Sequence, residues 1–358
     1  MRVAAAVWRR EDEGPEKILA RIERSLALCA REGVAVVVFP ALIGCCFGDG
    51  AAFLERVRRL SAAYPELVLC PGSWWERAGG VWHATALLRG GEVLLRQRQL
   101  YLARWEREEG LARGEDLALV ELGAEPGGWR TAIILSTDVF YPQVSRYAAL
   151  AGADLVLSPV AIRAAEERAD GGRNAEGAGP EGEACRSSED FPRQLSGLWA
   201  SVQANMFFAV ESGFKGTFRG RAFASRSAIH APLAMTPRED GFLALEGEAE
   251  ACPEESGRSG RKESGCPGRE GGGALSPPWR AEGEGSAPRS SPPVRGEFLS
   301  SREGEPELLV AELDPERRRA ARRPFDPLRQ LNPEAYRGLY LGPAGDPGDP
   351  RPGERQGR

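Results

Sequence analysis

The sequence is poor in side chains from which many enzyme centres are assembled: it has two histidines, His83 and His230, and three lysines, Lys17, Lys215 and Lys262. Neither histidine stands in a Ser/His/Asp pattern or beside a metal-type partner, so both read as surface or packing residues. The basic side chains are almost all arginine, which looks like a base-composition bias. Positive charge is not in excess either. A net charge of -5 argues against a polyanion-binding role, and no nucleic-acid partner is expected. The apolar opening from Met1 to Trp8 stops at Arg9-Arg10-Glu11, too short for a signal-peptide core or a membrane span. No membrane partner is therefore expected, and the cytoplasm is the expected location. Seven cysteines, with Cys45 and Cys46 adjacent, form neither a disulfide framework nor a tetrahedral zinc set, so reduced thiols are expected. With no Gly-rich phosphate loop, no paired metal ligands and no internal repeat, neither cofactor nor metal is expected.

What is present is an alternation of short β-type runs with amphipathic helical stretches, the pattern of a mixed α/β domain. Val3 to Trp8 reads as a strand. Ile18, Leu19, Ile22, Leu26 and Cys29 fall at helical spacing, Gly33 stops that helix, and Val34 to Phe39 reads as a buried strand. Further strands are predicted at 67–70, 84–88, 93–96, 117–122, 131–135, 154–158, 207–212, 226–230, 241–246 and 307–313. Helices are predicted near 50–63, 142–151 and 190–204, with a polar, Gly- and Glu-rich stretch at 165–189.

Residues 249–305 are dominated by Gly, Ser, Pro, Arg and Glu, too sparse in apolar groups to offset chain entropy, and they read as a disordered insertion. A strand pattern on either side makes 1–248 and 306–340 one domain. The Pro- and Gly-rich tail 341–358 also reads as disordered.

Several stretches, in order, resemble the nitrilase superfamily of carbon-nitrogen hydrolases. Gly33 to Pro40 is similar to the strand that ends in the family's Phe-Pro-Glu, with Ala41 at the glutamate. Arg96-Gln97-Arg98-Gln99-Leu100 resembles the Arg-Lys-x-His-Leu stretch, with Gln97 at the lysine. Leu135 to Pro142, followed by Ala148 to Pro159, resembles the nucleophile elbow and the helix-strand unit after it, with Ser136 at the cysteine. Trp199 to Asn205, Phe207 to Gly213, Ser225 to Ile229 and Ala311 to Asp314 extend the likeness over nearly the whole chain outside the insertions. The resemblance implies an α/β fold, a four-layer α-β-β-α sandwich, and pairing of two chains through the outer helices. Segments 142–151 and 190–204 correspond to those helices, so a homodimer is expected.

The family's chemistry is acyl transfer through a thioester: cysteine attacks, glutamate takes the proton, and lysine stabilises the tetrahedral intermediate. Here those catalytic positions hold a hydroxyl (Ser136), a methyl (Ala41) and a neutral amide (Gln97). Strand alternation points Arg96 and Arg98 away from Gln97. Loss of one triad member costs roughly 10⁴ to 10⁶ in rate, and the losses are not additive. A replacement base for Ser136 is sought in Glu106, Glu108 and Glu109, against the plainer reading of 104–113 as a solvated helical face. Cys45 and Cys46 are candidates for a displaced thiol, against an inert loop. Asp138 reads as structural, holding the elbow backbone.

Three functions remain open. The first is a pseudoenzyme serving as a binding or regulatory module, with a small-molecule ligand in the vestigial pocket. The second is a divergent amidase or nitrilase-type hydrolase using Ser136 as nucleophile. The third is a structural partner of an active enzyme.

Overall fold

A computed structural model describes residues 1–10, 14–123, 128–164, 197–247, 296–300 and 307–317. The polar stretch 165–189, the first part of the predicted helix at 190–196, most of the 249–305 insertion and the tail beyond 317 lie outside the described residues.

The chain opens with strand β1 (Arg2–Ala6), which ends at Val7, where β2 (Trp8–Arg10) leaves for the other sheet instead of continuing the single strand predicted to Trp8. Helix α1 (Pro15–Arg31) starts on a proline, which needs no intrahelical partner for its nitrogen, and ends before Gly33, whose φ of +66° releases the chain. Its buried residues, among them Ile18, Leu19, Ile22, Leu26 and Cys29, form the stripe that the spacing predicted. After β3 (Val36–Val38), α2 (Gly50–Ala63) is capped by Asp49, whose carboxylate accepts from Ala51 N at 3.0 Å. Strands β4 (Val68–Cys70), β5 (Ser73–Arg77), β6 (Val81–Arg89) and β7 (Glu92–Arg98) follow. Next come the short helix α3 (Arg104–Glu108), β8 (Leu119–Leu122), β9 (Trp129–Ile133), α4 (Pro142–Leu150) and β10 (Leu155–Val160). The later part holds α5 (Leu198–Asn205), β11 (Phe208–Phe218), β12 (Arg221–Ala224), β13 (Ala228–His230), β14 (Phe242–Leu245), β15 (Glu297–Leu299) and β16 (Leu308–Glu312).

These strands make two sheets. The first runs β15-β16-β1-β3-β4-β6-β5, with β7 on β6, and the second runs β14-β13-β11-β10-β9-β8, with β2 and β12 on β11. Strand periodicity then assigns the layers. Val3, Ala5, Val36 and Val38 pack between the sheets against Ile133, Leu155, Leu157, Phe208 and Val210. The alternate residues Ala4, Ala6 and Val37 share a cluster with Ile18, Ile22, Phe53 and Val57 from α1 and α2. On the far side, Ala132, Val156 and Ala209 share a cluster with Val144, Ala148, Leu198 and Val202 from α4 and α5. The result is the expected four-layer α-β-β-α sandwich.

Composition placed residues 249–305 in one disordered insertion, yet Glu297–Leu299 at its end form β15, antiparallel to β16. Three residues are too short to show a strand period against a Gly- and Ser-rich background, and the pairing comes from β16. The insertion also leaves and returns at one place: Gly296 N donates to Leu243 O of β14 at 2.9 Å, just before the chain departs. Replacing 249–294 by a linker of about six residues is expected to retain a single cooperative urea transition and to raise stability by about 2 kcal/mol through the shorter loop. Loss of the cooperative transition would refute it.

Candidate active site

Two strand ends, those of β3 and β9, carry the positions that the sequence likeness singled out at Ala41 and Ser136. Beyond β3, Pro40 and Ala41 lead to Leu42, held left-handed at φ +64°. Beyond β9, Ser136 is also left-handed, at φ +50°, and opens a tight turn, Ser136–Phe140. A side chain in that region is strained by about 1–3 kcal/mol, and the surrounding structure must hold it there. Ser136 thus sits on a strained elbow between strand β9 and helix α4.

Among the described residues no base bonds the Ser136 hydroxyl. Ser136 is 2% exposed, and among the described residues its Oγ bonds only Ala161 O, at 3.4 Å. Ala41 is buried in the apolar cluster that also holds Ala161, Phe39, Trp105, Phe214 and Phe223. The aromatic rings in this cluster interlock edge to face, with centroids 5.9 Å apart for Trp105 and Phe223 and 5.5 Å for Phe214 and Phe223. The Gln97 amide is taken up by backbone: Nε2 donates to Arg98 O and Asp116 O at 2.8 Å, and Oε1 accepts from Ala118 N at 3.3 Å. Arg96 and Arg98 point the other way, both onto the Glu76 carboxylate at 2.9 and 2.7 Å.

The three candidate bases separate. Glu108 is paired with Arg104 on the surface of α3 at 2.8 Å, and Glu109 accepts from Arg219 and Arg221 at 2.6 and 3.2 Å. Glu106 alone turns inward and is fully buried. Its Oε2 accepts from Gln99 Nε2 and from Ala103 N, both at 2.7 Å, and its Oε1 faces His83 Nδ1 at 2.7 Å. It does not bond Ser136. Gln99 Nε2 also reaches Thr137 Oγ1 at 2.7 Å, so Gln99, not Gln97, is the amide beside the elbow.

Of the two sequence readings for the histidines, surface or packing, the structure has packing for both, and His83 adds an arrangement that the sequence reading had not placed it in. His83 and His230 are fully buried and each faces a glutamate, His83 on Glu106 and His230 Nε2 on Glu211 Oε2 at 3.1 Å. His83 Nε2 further lies 2.6 Å from Ser73 Oγ, a Ser/His/Glu arrangement. Three residues from β5, β6 and α3 have no shared sequence signature, and only the β5–β6 register brings the first two together. The thiols are quiet. Burial pushes those of Cys29 and Cys70 up to about 12, and Cys46 Sγ donates to Ile43 O at 3.0 Å. A cavity of about 320 Å³ opens outside the elbow beside Tyr101, Asp116, Gln143 and Tyr147, and none of Ala41, Gln97 and Ser136 lines it.

No protein-family model matches the sequence, and no curated protein sequence matches it. Solved structures do. The NitN amidase of Nesterenkonia sp. AN1 is similar with a TM-score of 0.58 and 18% identity, covering 94% of this chain and 99% of that one. A variant of the AN1 amidase, described as from the nitrilase superfamily, gives a TM-score of 0.57 at 18% identity over 94% and 96% of the two chains. Another variant, with the acetamide moiety of fluoroacetamide added at its active-site cysteine, gives 0.58 at 18% over 95% and 96%. The chain has the carbon-nitrogen hydrolase fold. At this identity the likeness fixes the architecture alone.

Within this nitrilase-type fold, Asp138 holds the segment after β7. Its carboxylate accepts from Leu100 N at 3.0 Å and Tyr101 N at 2.7 Å. Burial pushes its pKa up from 3.8 to about 7, with the Leu100 and Tyr101 N–H groups pulling it back and the Glu106 carboxylate adding to the rise. The folded state then holds this proton more tightly than the unfolded chain does. The associated stability is fully present below about pH 4 and is lost as pH rises through 7. Thermal melts between pH 4 and 8 should show this decline in the unaltered protein, and Asp138→Asn, which cannot ionise, should lack that part of it. Identical profiles would contradict the assignment.

Proposed function

We propose that this carbon-nitrogen hydrolase-fold protein has lost the thiol-dependent hydrolysis of its structural neighbours and serves as a binding or regulatory module. The observation that carries this reading is the packing at Ala41. Where a base would be required, a methyl group sits in an aromatic-lined apolar cluster, and the Ser136 hydroxyl turns to a backbone carbonyl. The neighbouring amidase is described with an active-site cysteine. A serine at that place is barely ionised near neutrality and needs an adjacent base, and the inward one of the three candidate bases, Glu106, is committed to His83, Gln99 and Ala103.

One observation favours a second reading, a divergent amidase: Ser136 keeps the strained left-handed backbone that presents a nucleophile. A single experiment separates the two. Hydrolysis of short amides, nitriles and carbamoyl compounds by the purified protein is expected to equal that of Ser136→Ala. Turnover above that level, abolished by Ser136→Ala, would establish the amidase.

The module reading extends to a homodimer and a cytoplasmic location. No helix among the described residues is long and apolar enough to cross a membrane. Val144, Ala148 and Leu198 are buried against their own sheet, while Phe140 and Tyr147 beside them are 47% and 55% exposed, so these rings are the apolar surface left for a partner. Phe191 and Leu195 of the predicted second stripe lie outside the described residues. Sedimentation is expected to give a dimer at micromolar concentration and a shift toward monomer for Tyr147→Glu; a monomer throughout would remove this part of the proposal.

A further inference from the structure

We propose that Ser73, His83 and Glu106 form a second, independent acyl-transfer centre, with Ser73 as nucleophile, His83 as its base and Glu106 as the orienting carboxylate, acting on short neutral carboxylic esters.

The geometry comes from a hairpin and a helix. In the antiparallel β5–β6 pair, Ser73 lies opposite Thr85 and Trp75 opposite His83, so Ser73 and His83 are diagonal neighbours on one face. Glu106, the third residue of α3, reaches back to its helix start and presents its other oxygen to the imidazole. Ser73 Oγ is 2.6 Å from His83 Nε2, and His83 Nδ1 is 2.7 Å from Glu106 Oε1.

The direction of each hydrogen bond follows from its neighbours. Glu106 accepts from Gln99 and Ala103 through Oε2, which suits an ionised carboxylate, so the nitrogen facing Oε1 carries the proton and donates it. A neutral imidazole with Nδ1–H has Nε2 as its acceptor. Ser73 Oγ already accepts from Leu42 N at 2.8 Å, which leaves its own O–H to donate to Nε2. This is the sense in which a histidine removes a serine proton. All three side chains are fully buried, and apolar groups of the same volume would hold this corner at lower desolvation cost. The arrangement therefore has a chemical capacity that packing alone does not require.

The reaction balances without any further reagent. Ser73 Oγ attacks the ester carbonyl as its proton passes to His83 Nε2, while Leu42 N–H holds the serine oxygen in place. The C–O bond breaks and the departing alkoxide takes that proton. Water, deprotonated by His83, then attacks the acyl-serine, releasing the carboxylic acid and restoring Ser73–OH. Ser73 is fully buried and tied to Leu42, itself fully buried, which suits a short uncharged acyl group. Because Ser73 is buried and held by Leu42 N–H, entry of an ester requires this corner of the fold to open.

The test uses the unaltered full chain with diisopropyl fluorophosphate, read by intact mass and peptide mapping, and with p-nitrophenyl acetate as substrate. The expected result is one adduct on Ser73, retained in Ser136→Ala and formed at least about tenfold more slowly in Glu106→Gln. Absence of an adduct at Ser73, an undiminished rate in a folded Glu106→Gln, or ester hydrolysis unchanged in a folded Ser73→Ala would each overturn the proposal. Because mapping is done on the unaltered protein, it does not depend on any variant folding. Turnover lost in Ser136→Ala bears on the preceding reading, and turnover lost in Ser73→Ala on this one, so the two fail separately.

Discussion

The buried carboxylate of Glu106 is the constraint on which this end of the sandwich depends. It is the shared acceptor for a strand-borne imidazole, for the Gln99 amide that follows β7 and for the N–H that starts α3. Removing it would strand the His83 Nδ1 and Ala103 N donors away from water, and an unpaired buried donor costs about 1–3 kcal/mol. Asp138 completes the arrangement from the other sheet by accepting from Leu100 and Tyr101. Two buried carboxylates, one on α3 and one in the turn after β9, thus clamp the segment between residues 99 and 103, and Gln99 links that segment to Thr137.

That clamp explains how two left-handed side-chain-bearing residues persist. Leu42 is tied through its N–H to Ser73, and Ser136 stands next to Thr137, whose hydroxyl donates to Tyr101 O at 2.6 Å. Each strained residue is one bond from the polar network, which supplies the over-determination that such a backbone needs.

Apolar packing closes the neighbouring corner. Ala41 is fully buried in the apolar cluster that also holds Phe39, Trp105, Phe214 and Phe223, and Phe223 meets Trp105 and Phe214 edge to face. The β11–β12 hairpin, which carries Phe223, is fixed by Arg219 stacked on Trp75 at 4.2 Å and by the Glu109 carboxylate between Arg219 and Arg221.

The sequence by itself determined the layers and the substitutions. Period-3.6 stripes such as Ile18, Ile22 and Leu26 and alternations such as Val3, Ala4 and Ala5 report which face is buried, and the ordered motifs place Ala41, Gln97 and Ser136 at strand ends. A two-residue period states which face a side chain takes, not which neighbour it meets there. Only the tertiary structure decided that Gln99 reaches the elbow while Gln97 binds the 116–118 backbone, and that Glu297–Leu299 add a strand to the sheet. It alone joined Ser73, His83 and Glu106, because their meeting depends on the register of β5 against β6 and on the docking of α3, both set by contacts between residues distant along the chain.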